Sequence, residues 1–298
     1  MQKHMQSWLR HLTRFTLVVW LFGSSAQALV VFDYRFEVGP NGDPISTVTD
    51  SGPNALNGTS SGVLTYTSQT APSGGNFAMN ASGDLNYASV ANNSAMHVQE
   101  FALSALVNPT GRGGFFPPNR FTNCWDDTMC NIVSKKWGEG GNFLDSYAIY
   151  YLQGTGKFRG YVGFGAEQGR VIESANSYPV GSGWHSVVLT LDRDVAGAID
   201  RLSLYVDDVL QASLEEALPD LFFNGGDLLM GASNFFANPA GDFRRNFDGA
   251  IDSVMLTDLP FTPNVVPTPA TISLFLAGMA GIVAVRRRRE KSGAPAGA

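Results

Sequence analysis

The sequence predicts an all-β protein built as a sandwich of two antiparallel sheets. Three observations carry that reading. Short apolar or alternating runs recur between clusters of Gly, Asn, Asp and Ser, which is how strands and turns announce themselves. Glycine and proline are plentiful, at 33 and 15 of 298 residues. Between Ala28 and Pro263 no amphipathic helix of twelve residues can be drawn, and no internal repeat is visible. Runs at this spacing with no helix between them bury their apolar faces by stacking two antiparallel sheets.

The elements follow in order. Met1 to Arg14 is basic through Lys3, Arg10 and Arg14 and holds no acid; Phe15 to Phe22 is apolar; Ala26 and Ala28 supply a small-x-small cleavage site. This is the pattern of a signal peptide over residues 1–28, whose apolar helix is too short to span a bilayer. Strands are predicted at 29–36, 77–79, 101–107, 131–135, 147–152, 158–164, 184–191, 202–206, 228–231 and 247–256, all within one domain at 29–262. Two hairpins are legible. Tyr147 to Leu152 turns through Gly154, Thr155 and Gly156 into Phe158 to Val162. Leu202 to Val206 turns at Asp207 and Asp208 into Val209 and Leu210. A two-residue turn favours Gly at its second position, so Asp208 predicts a slightly strained or wider turn.

Residues 263–298 change character again. Val266, Pro267, Thr268, Pro269 and Ala270 lead into an apolar stretch at 270–285, then Arg286, Arg287, Arg288 and Arg289. Sixteen helical residues reach about 24 Å, short of a roughly 30 Å hydrocarbon core unless the arginines snorkel. The stretch is predicted as a C-terminal transmembrane helix with its arginines on the cytoplasmic side. The middle of the chain is then expected outside the inner membrane.

With both ends set aside, twelve basic residues face twenty-five acidic ones, a net charge of −13. A domain so acidic repels phosphate backbones, which excludes nucleic acid as a partner. Cys124 and Cys130 are the two cysteines. In an oxidising compartment an even count favours one disulfide, worth about 2 kcal/mol for so small a loop.

The order of these pieces resembles the laminin-G-like domains of the concanavalin A-like lectin/glucanase jelly roll. Asp50 to Asn54, followed by Asn57 and Gly58, is similar to that family's early Asp-x-x-Gly-Asn loop. The run from Phe101 to Pro109 resembles one of its strands, with Leu106 where Trp is usual. Gly183 to Thr190 with Leu204 to Asp207 matches its paired strands best, and Phe247 to Val254 looks like its closing strand. The tail resembles a PEP-CTERM sorting signal, with Thr268 where Glu is usual. That resemblance implies an exosortase-type sorting enzyme as partner. It also implies membrane anchoring, transient or stable, before residence at the cell surface or in an extracellular matrix.

Site chemistry is thinner. Glucan hydrolases on this jelly roll carry a Glu-x-Asp-x-x-Glu strand that aims carboxylates into one cleft, and no such triplet occurs here. Glu215 and Glu216 are adjacent and would face opposite ways; Asp192 and Asp194 read as turn residues. His185 reads as a packed or hydrogen-bonded strand residue, and His97 has no paired nucleophile motif. P-loop and dinucleotide fingerprints are missing. The expectation is a non-enzymatic protein that binds glycan, extracellular polysaccharide included, or serves adhesion. A divergent carbohydrate-active enzyme and a purely structural envelope protein are the alternatives.

Structural calcium is the cofactor that the residues allow. Asp50, Asn54 and Asn57 share one turn-rich loop of oxygen donors, and the family resemblance brings that loop to Asp252 on the closing strand. Asx turns are the competing account of the loop. For glycan, the insertion from Gly111 to Trp137 carries Trp125, Asp126, Asp127 and Trp137 beside both cysteines, and a stapled aromatic loop can stack on sugar rings. Folding over the sandwich edge is its competing account. The Phe222–Phe223 and Phe235–Phe236 pairs read as core or loop packing.

Overall fold

A computed structural model describes residues 28–37, 39–61, 64–69, 77–82, 86–111, 129–136, 145–165, 168–223, 225–234, 243–244 and 247–260. Residues 1–27, the tail beyond 260, and Cys124, Trp125, Asp126, Asp127 and Trp137 lie outside them. Among the described residues no helix is long and apolar enough to cross a membrane.

The chain forms, in order, β1 (Val30–Tyr34), β2 (Thr47–Val48), β3 (Gly58–Ser61), β4 (Thr65–Thr67), β5 (Ala78–Asn80), β6 (Tyr87–Val90), β7 (Phe101–Pro109), β8 (Met129–Lys136) and β9 (Asp145–Leu152). Then come β10 (Lys157–Gly165), β11 (Gln168–Glu173), β12 (His185–Asp192), β13 (Asp200–Val206), β14 (Val209–Glu216), β15 (Leu228–Met230), β16 (Ser233–Asn234), β17 (Phe243–Arg244) and β18 (Gly249–Thr257). The one helical element among the described residues is a short 3-10 turn, Ser94–Met96. One sheet runs β14–β13–β12–β7–β18–β5–β4, with β1 also on β18. The other runs β11–β10–β9–β8–β15–β6–β3–β2, and β16 pairs with β17 apart from both. Every pairing between strands is antiparallel. The predicted class, an antiparallel two-sheet sandwich, is the fold observed.

The core follows from strand alternation. On β7, Phe101, Leu103, Ala105 and Val107 point inward and the residues between them are more open. Their partners Leu191, Leu189 and Val187 on β12 do the same. Opposite lie Tyr147, Ile149, Tyr151, Phe158 and Val162 of the second sheet. Each aromatic or large aliphatic side chain sealed here stabilises the fold by about 1.5–3 kcal/mol. Strand β9 is buried at every position. Its Ala148, Tyr150 and Leu152 join Met129 and Tyr161 in a separate cluster on the other face. A strand covered on both sides reads as one continuous apolar run, as Tyr147 to Leu152 does.

The two ends of the described chain meet. Strand β1 pairs with Val254 to Thr257 of β18, while β5 takes Ala250 and Ile251 of the same strand. The change of partner falls at Asp252 and Ser253, where the register on β7 also shifts and Ser253 takes a φ of 47°. That is a β-bulge.

Strand β1 is tied to the following loop by one side chain. Asp50 is 7% exposed. Its Oδ1 accepts the N–H groups of Asp33 (2.8 Å) and Gly52 (2.7 Å), and its Oδ2 accepts that of Leu56 (2.8 Å). Its own N–H donates to Asn57 Oδ1 at 2.9 Å, and Asn54 Nδ2 donates to Val31 O at 2.8 Å. The Tyr34 hydroxyl then reaches Leu56 O at 2.7 Å. Losing the carboxylate leaves three buried donors unpaired, at about 1–3 kcal/mol each before relaxation. Asp50→Ala is therefore expected to destabilise the domain by about 3 kcal/mol in urea unfolding. A loss below about 1 kcal/mol would remove Asp50 from this role.

Candidate functional site

At one end of the sandwich, three segments enclose an open cleft of about 620 Å³. Thr110 and Gly111 follow β7, Gln153 to Gly156 turn between β9 and β10, and Ser177, Pro179 and Val180 precede β12. Backbone bonds pin the walls. Thr110 and Gly111 N–H donate to Asp248 O, Gly181 N–H to Pro109 O, and Tyr178 N–H to Gly156 O. Ser177 Oγ donates to Thr155 O at 2.6 Å. Gly156 cannot be replaced without cost: its φ is +68°, and a Cβ would sit 2.7 Å from Ser177 Oγ and 3.1 Å from Pro179 Cα. The lining combines hydroxyl, amide and backbone groups with the apolar Pro179 and Val180, and among the described residues it holds no charged side chain. Hydroxyls and amides beside an apolar wall are the two surfaces that a sugar ring presents its own complement to. The insertion that carries Trp125 leaves the described chain from Gly111, in the wall of this cleft.

Beside the cleft, the turn from Pro179 to Ser182 closes with Ser182 N–H on Pro179 O at 3.0 Å. Ser182 Oγ lies 2.8 Å from His185 Nε2, and His185 Nδ1 lies 2.9 Å from Asp207 Oδ2. The imidazole is buried against Tyr178, with ring centroids 4.8 Å apart, and Phe158 at 6.1 Å. Asp207 and Asp208 form a two-residue turn with φ of 51° and 62°. This turn is strained, not widened, and Asp207 uses its position to accept the Ser186 N–H at 3.0 Å. Sequence reading singled out His185 as hydrogen-bonded but missed Ser182 and Asp207. A serine between two glycines, Gly181 and Gly183, was the available signal.

The other histidine among the described residues is packing. His97 stacks on Phe223 at 4.8 Å and 11°, and its Nε2 meets Asn92 Oδ1 at 3.0 Å. Burial and the neighbouring Lys135 hold its pKa below the usual value. Phe223 also packs edge-on to Tyr147, while Phe222 is 41% exposed; Phe235 and Phe236 lie outside the described residues. Glu215 and Glu216 pair separately, with Arg201 at 2.7 Å and with Arg170.

The residues singled out for calcium do not all converge. Asp50 and Asn57 face backbone N–H groups, and Asn54 faces a carbonyl, as described above. Among the described residues no group of three or more His, Cys, Asp or Glu side chains is arranged to hold a metal. Asp252 is fully buried at the β18 bulge. Its Oδ1 accepts the Ser253 N–H at 2.7 Å, and its Oδ2 has no hydrogen-bond partner. Burial, against the pull of the Ser253 N–H and with Glu37 and Asp33 adding repulsion, pushes its pKa up to about 7. Asp33 is itself held by Arg35 at 2.6 Å. Cys130 is buried at the start of β8.

An antiparallel sandwich of two large sheets with its loops gathered into a cleft at one end defines a lectin-like architecture. The chain belongs to the concanavalin A-like lectin/glucanases superfamily, whose model matches residues 82–266. No curated protein matches it by sequence. Among solved structures it is similar to the binding domain of Paraclostridial Mosquitocidal Protein 1, at 12% identity and a TM-score of 0.53, over 79% of this chain and 50% of that one. It is similar to domain 4 of AbnA, a GH43 extracellular arabinanase from Geobacillus stearothermophilus, solved with arabinotriose. There the values are 15% identity and TM-score 0.52, over 80% of this chain and 96% of that one. The receptor-binding domain of botulinum neurotoxin type G gives 12% identity and TM-score 0.50, over 82% and 51%. The chain thus spans about half the length of the two toxin structures. At these identities the likeness is one of fold.

The raised pKa of Asp252 has a signed consequence. Between the unfolded value near 4 and the folded value of about 7, the native state keeps a proton that the unfolded chain releases. The associated stability is complete below about pH 4 and is lost as the pH rises through 7. In the presence of chelator, Asp252→Asn is expected to flatten the stability profile across that window. Parallel profiles for the two proteins would show that Asp252 does not titrate there.

Proposed function

We propose that this chain is an exported module that binds glycan, acting in adhesion at the cell surface or within an extracellular polysaccharide matrix. The observation that carries the reading is the end cleft. Its volume suits one or a few sugar rings, its described lining is neutral and polar with one apolar wall, and the aromatic insertion departs from its rim. In this reading Trp125, with Asp126, Asp127 and Trp137, completes the site from the insertion, stapled by a Cys124–Cys130 disulfide. The fold is shared with a structure solved with arabinotriose and with two toxin binding domains, which supports binding as the general role. The signal segment and the Val266-to-Arg289 tail support export, handling by an exosortase-type enzyme, and anchoring of the tail helix in the inner membrane.

Purified chain on a glycan array should retain neutral oligosaccharides. Trp125→Ala and Gln153→Ala should each weaken that binding about tenfold, which is about 1.4 kcal/mol. Absence of array binding by the parent, or unchanged binding by both variants, would remove this site.

A second proposal concerns calcium. Asp252 Oδ2 is buried without a partner, with the Asp33 and Glu37 carboxylates within electrostatic reach. The unpaired oxygen is one hard donor to a divalent cation, whose remaining ligands would be carbonyls and water. The ion would neutralise Asp252 at neutral pH and brace the bulge where β1 and β5 meet. Calcium at about a hundredfold its Kd should raise stability by about 2.7 kcal/mol in thermal melting, and Asp252→Asn should abolish the rise. A melting midpoint indifferent to calcium would dismiss it.

A further inference from the structure

We propose that Ser182, His185 and Asp207 form a hydrolytic triad that cleaves acyl esters carried by sugars in the adjoining cleft. The choice of a sugar ester rests on the binding reading above; the chemistry rests on the triad's own geometry.

The two contacts form a continuous relay. A carboxylate oxygen only accepts, so the 2.9 Å contact places the imidazole proton on Nδ1, facing Asp207 Oδ2. Nε2 is then left as acceptor, 2.8 Å from the Ser182 hydroxyl. That is the arrangement in which serine is the nucleophile, histidine the base and aspartate the group that fixes the tautomer. The three come from separate places: a turn before β12, the first residue of β12, and the β13–β14 turn. Ser182 and His185 are three residues apart, and Asp207 is brought to them from twenty-two residues beyond His185 by the pairing of β12 with β13.

Each member is held for the role. His185 is boxed by Tyr178 and Phe158 and is 9% exposed, which keeps the ring from rotating away. Asp207 is locked from both sides of its backbone: its N–H donates to Ser186 O at 2.8 Å, and its Oδ1 accepts from Ser186 N–H. It holds a left-handed φ of 51° that a non-glycine residue adopts at a cost of about 1–2 kcal/mol, and backbone strain of this kind collects at working sites. Ser182 is exposed. Gly181 and Gly183 on either side have φ of +82° and +99°, with nothing within 4 Å of where a Cβ would stand. The hydroxyl is therefore approachable from both sides. The Gly183 N–H bonds to no described residue and is available to a developing oxyanion.

The reaction balances without an added oxidant or reductant. Ser182 Oγ bonds to the ester carbonyl carbon while its proton passes to His185 Nε2. The acyl–oxygen bond breaks and the sugar hydroxyl leaves with that proton. Water then attacks the acyl-serine, its proton passing through His185 to Ser182 Oγ, and the carboxylic acid departs.

The test uses the full chain, a fluorophosphonate probe and 4-nitrophenyl acetate. The parent should take up the probe on the peptide containing Ser182 and turn over the ester. Ser182→Ala, which removes only an exposed hydroxyl, should abolish labelling and lower turnover at least about tenfold with an unchanged melting midpoint. Asp207→Asn, a positioning change that withdraws the counter-charge of the imidazolium, should lower turnover and move the acid limb of its pH profile to lower pH. No labelling of the parent, or turnover equal to that of Ser182→Ala, overturns the triad even if the glycan array is positive. Labelling with a blank array upholds the triad and overturns the sugar ester as its substrate.

Discussion

The buried carboxylate of Asp50 is the contact on which the arrangement of the chain's beginning depends. Three N–H groups from β1, from its own turn and from the approach to β3 converge on its two oxygens. The interaction costs little in desolvation, because the charge is exchanged from water to amides that would otherwise be unsatisfied in the same place. Through Asp33 the clamp fixes β1, and β1 is paired along Val254 to Thr257 with the last strand of the sandwich. The early loop, the first strand and the closing strand thus form one unit, and Asp252 lies at the bulge where that unit hands over to β5.

The opposite logic governs the cleft. There the backbone is held in conformations that regular strands avoid: Gly156, Gly181, Gly183, Asp207 and Asp208 all have positive φ. A tight β9–β10 turn lets Ser177 and Pro179 approach to within what glycine alone allows. The β13–β14 turn throws the Asp207 carboxylate back across β12 to His185. The rigid parts are the sheets, and the strained turns are affordable because β7, β12 and β13 are bonded over nearly their whole lengths. Function-bearing loops on a stiff scaffold follow from that division.

Much of the fold was legible. The long strands β7, β9, β10, β12, β13 and β18 carry continuous or alternating apolar runs, and each was predicted within a few residues. Short strands such as β2, β3 and β4 hold Thr, Ser and Gly with only single apolar residues, so no period-two signal exists to read. Strand β11 is mostly exposed and β14 alternates only weakly, and both flank the sheets at their edges. The site was far less legible. His185 was recognised as hydrogen-bonded from its place in the strand, yet Ser182 and Asp207 are brought to it by a turn and by pairing across β12 and β13. Only the family resemblance brought Asp252 of the closing strand toward the Asp50 loop; Asp33 and Glu37 act on it because β1 lies on β18, a register that no local pattern encodes.

Charge narrows what the cleft can take. The region between the two apolar ends carries −13, and the described residues of the cleft lining add no positive group to offset it. An acidic polysaccharide would approach against that field. A neutral sugar meets no such barrier, and in the proposed reading its hydroxyls would face the lining hydroxyl and amide groups with its apolar face against Pro179 and Val180. An ester-bearing neutral sugar meets the same cleft with one added requirement, that its carbonyl come within reach of Ser182. The turn from Pro179 to Ser182 answers it, since its first residues form the wall and its last carries the hydroxyl. Binding and cleavage in this molecule would then share one four-residue turn, closed by the backbone hydrogen bond from Ser182 to Pro179 and tied to β7 by that from Gly181 to Pro109.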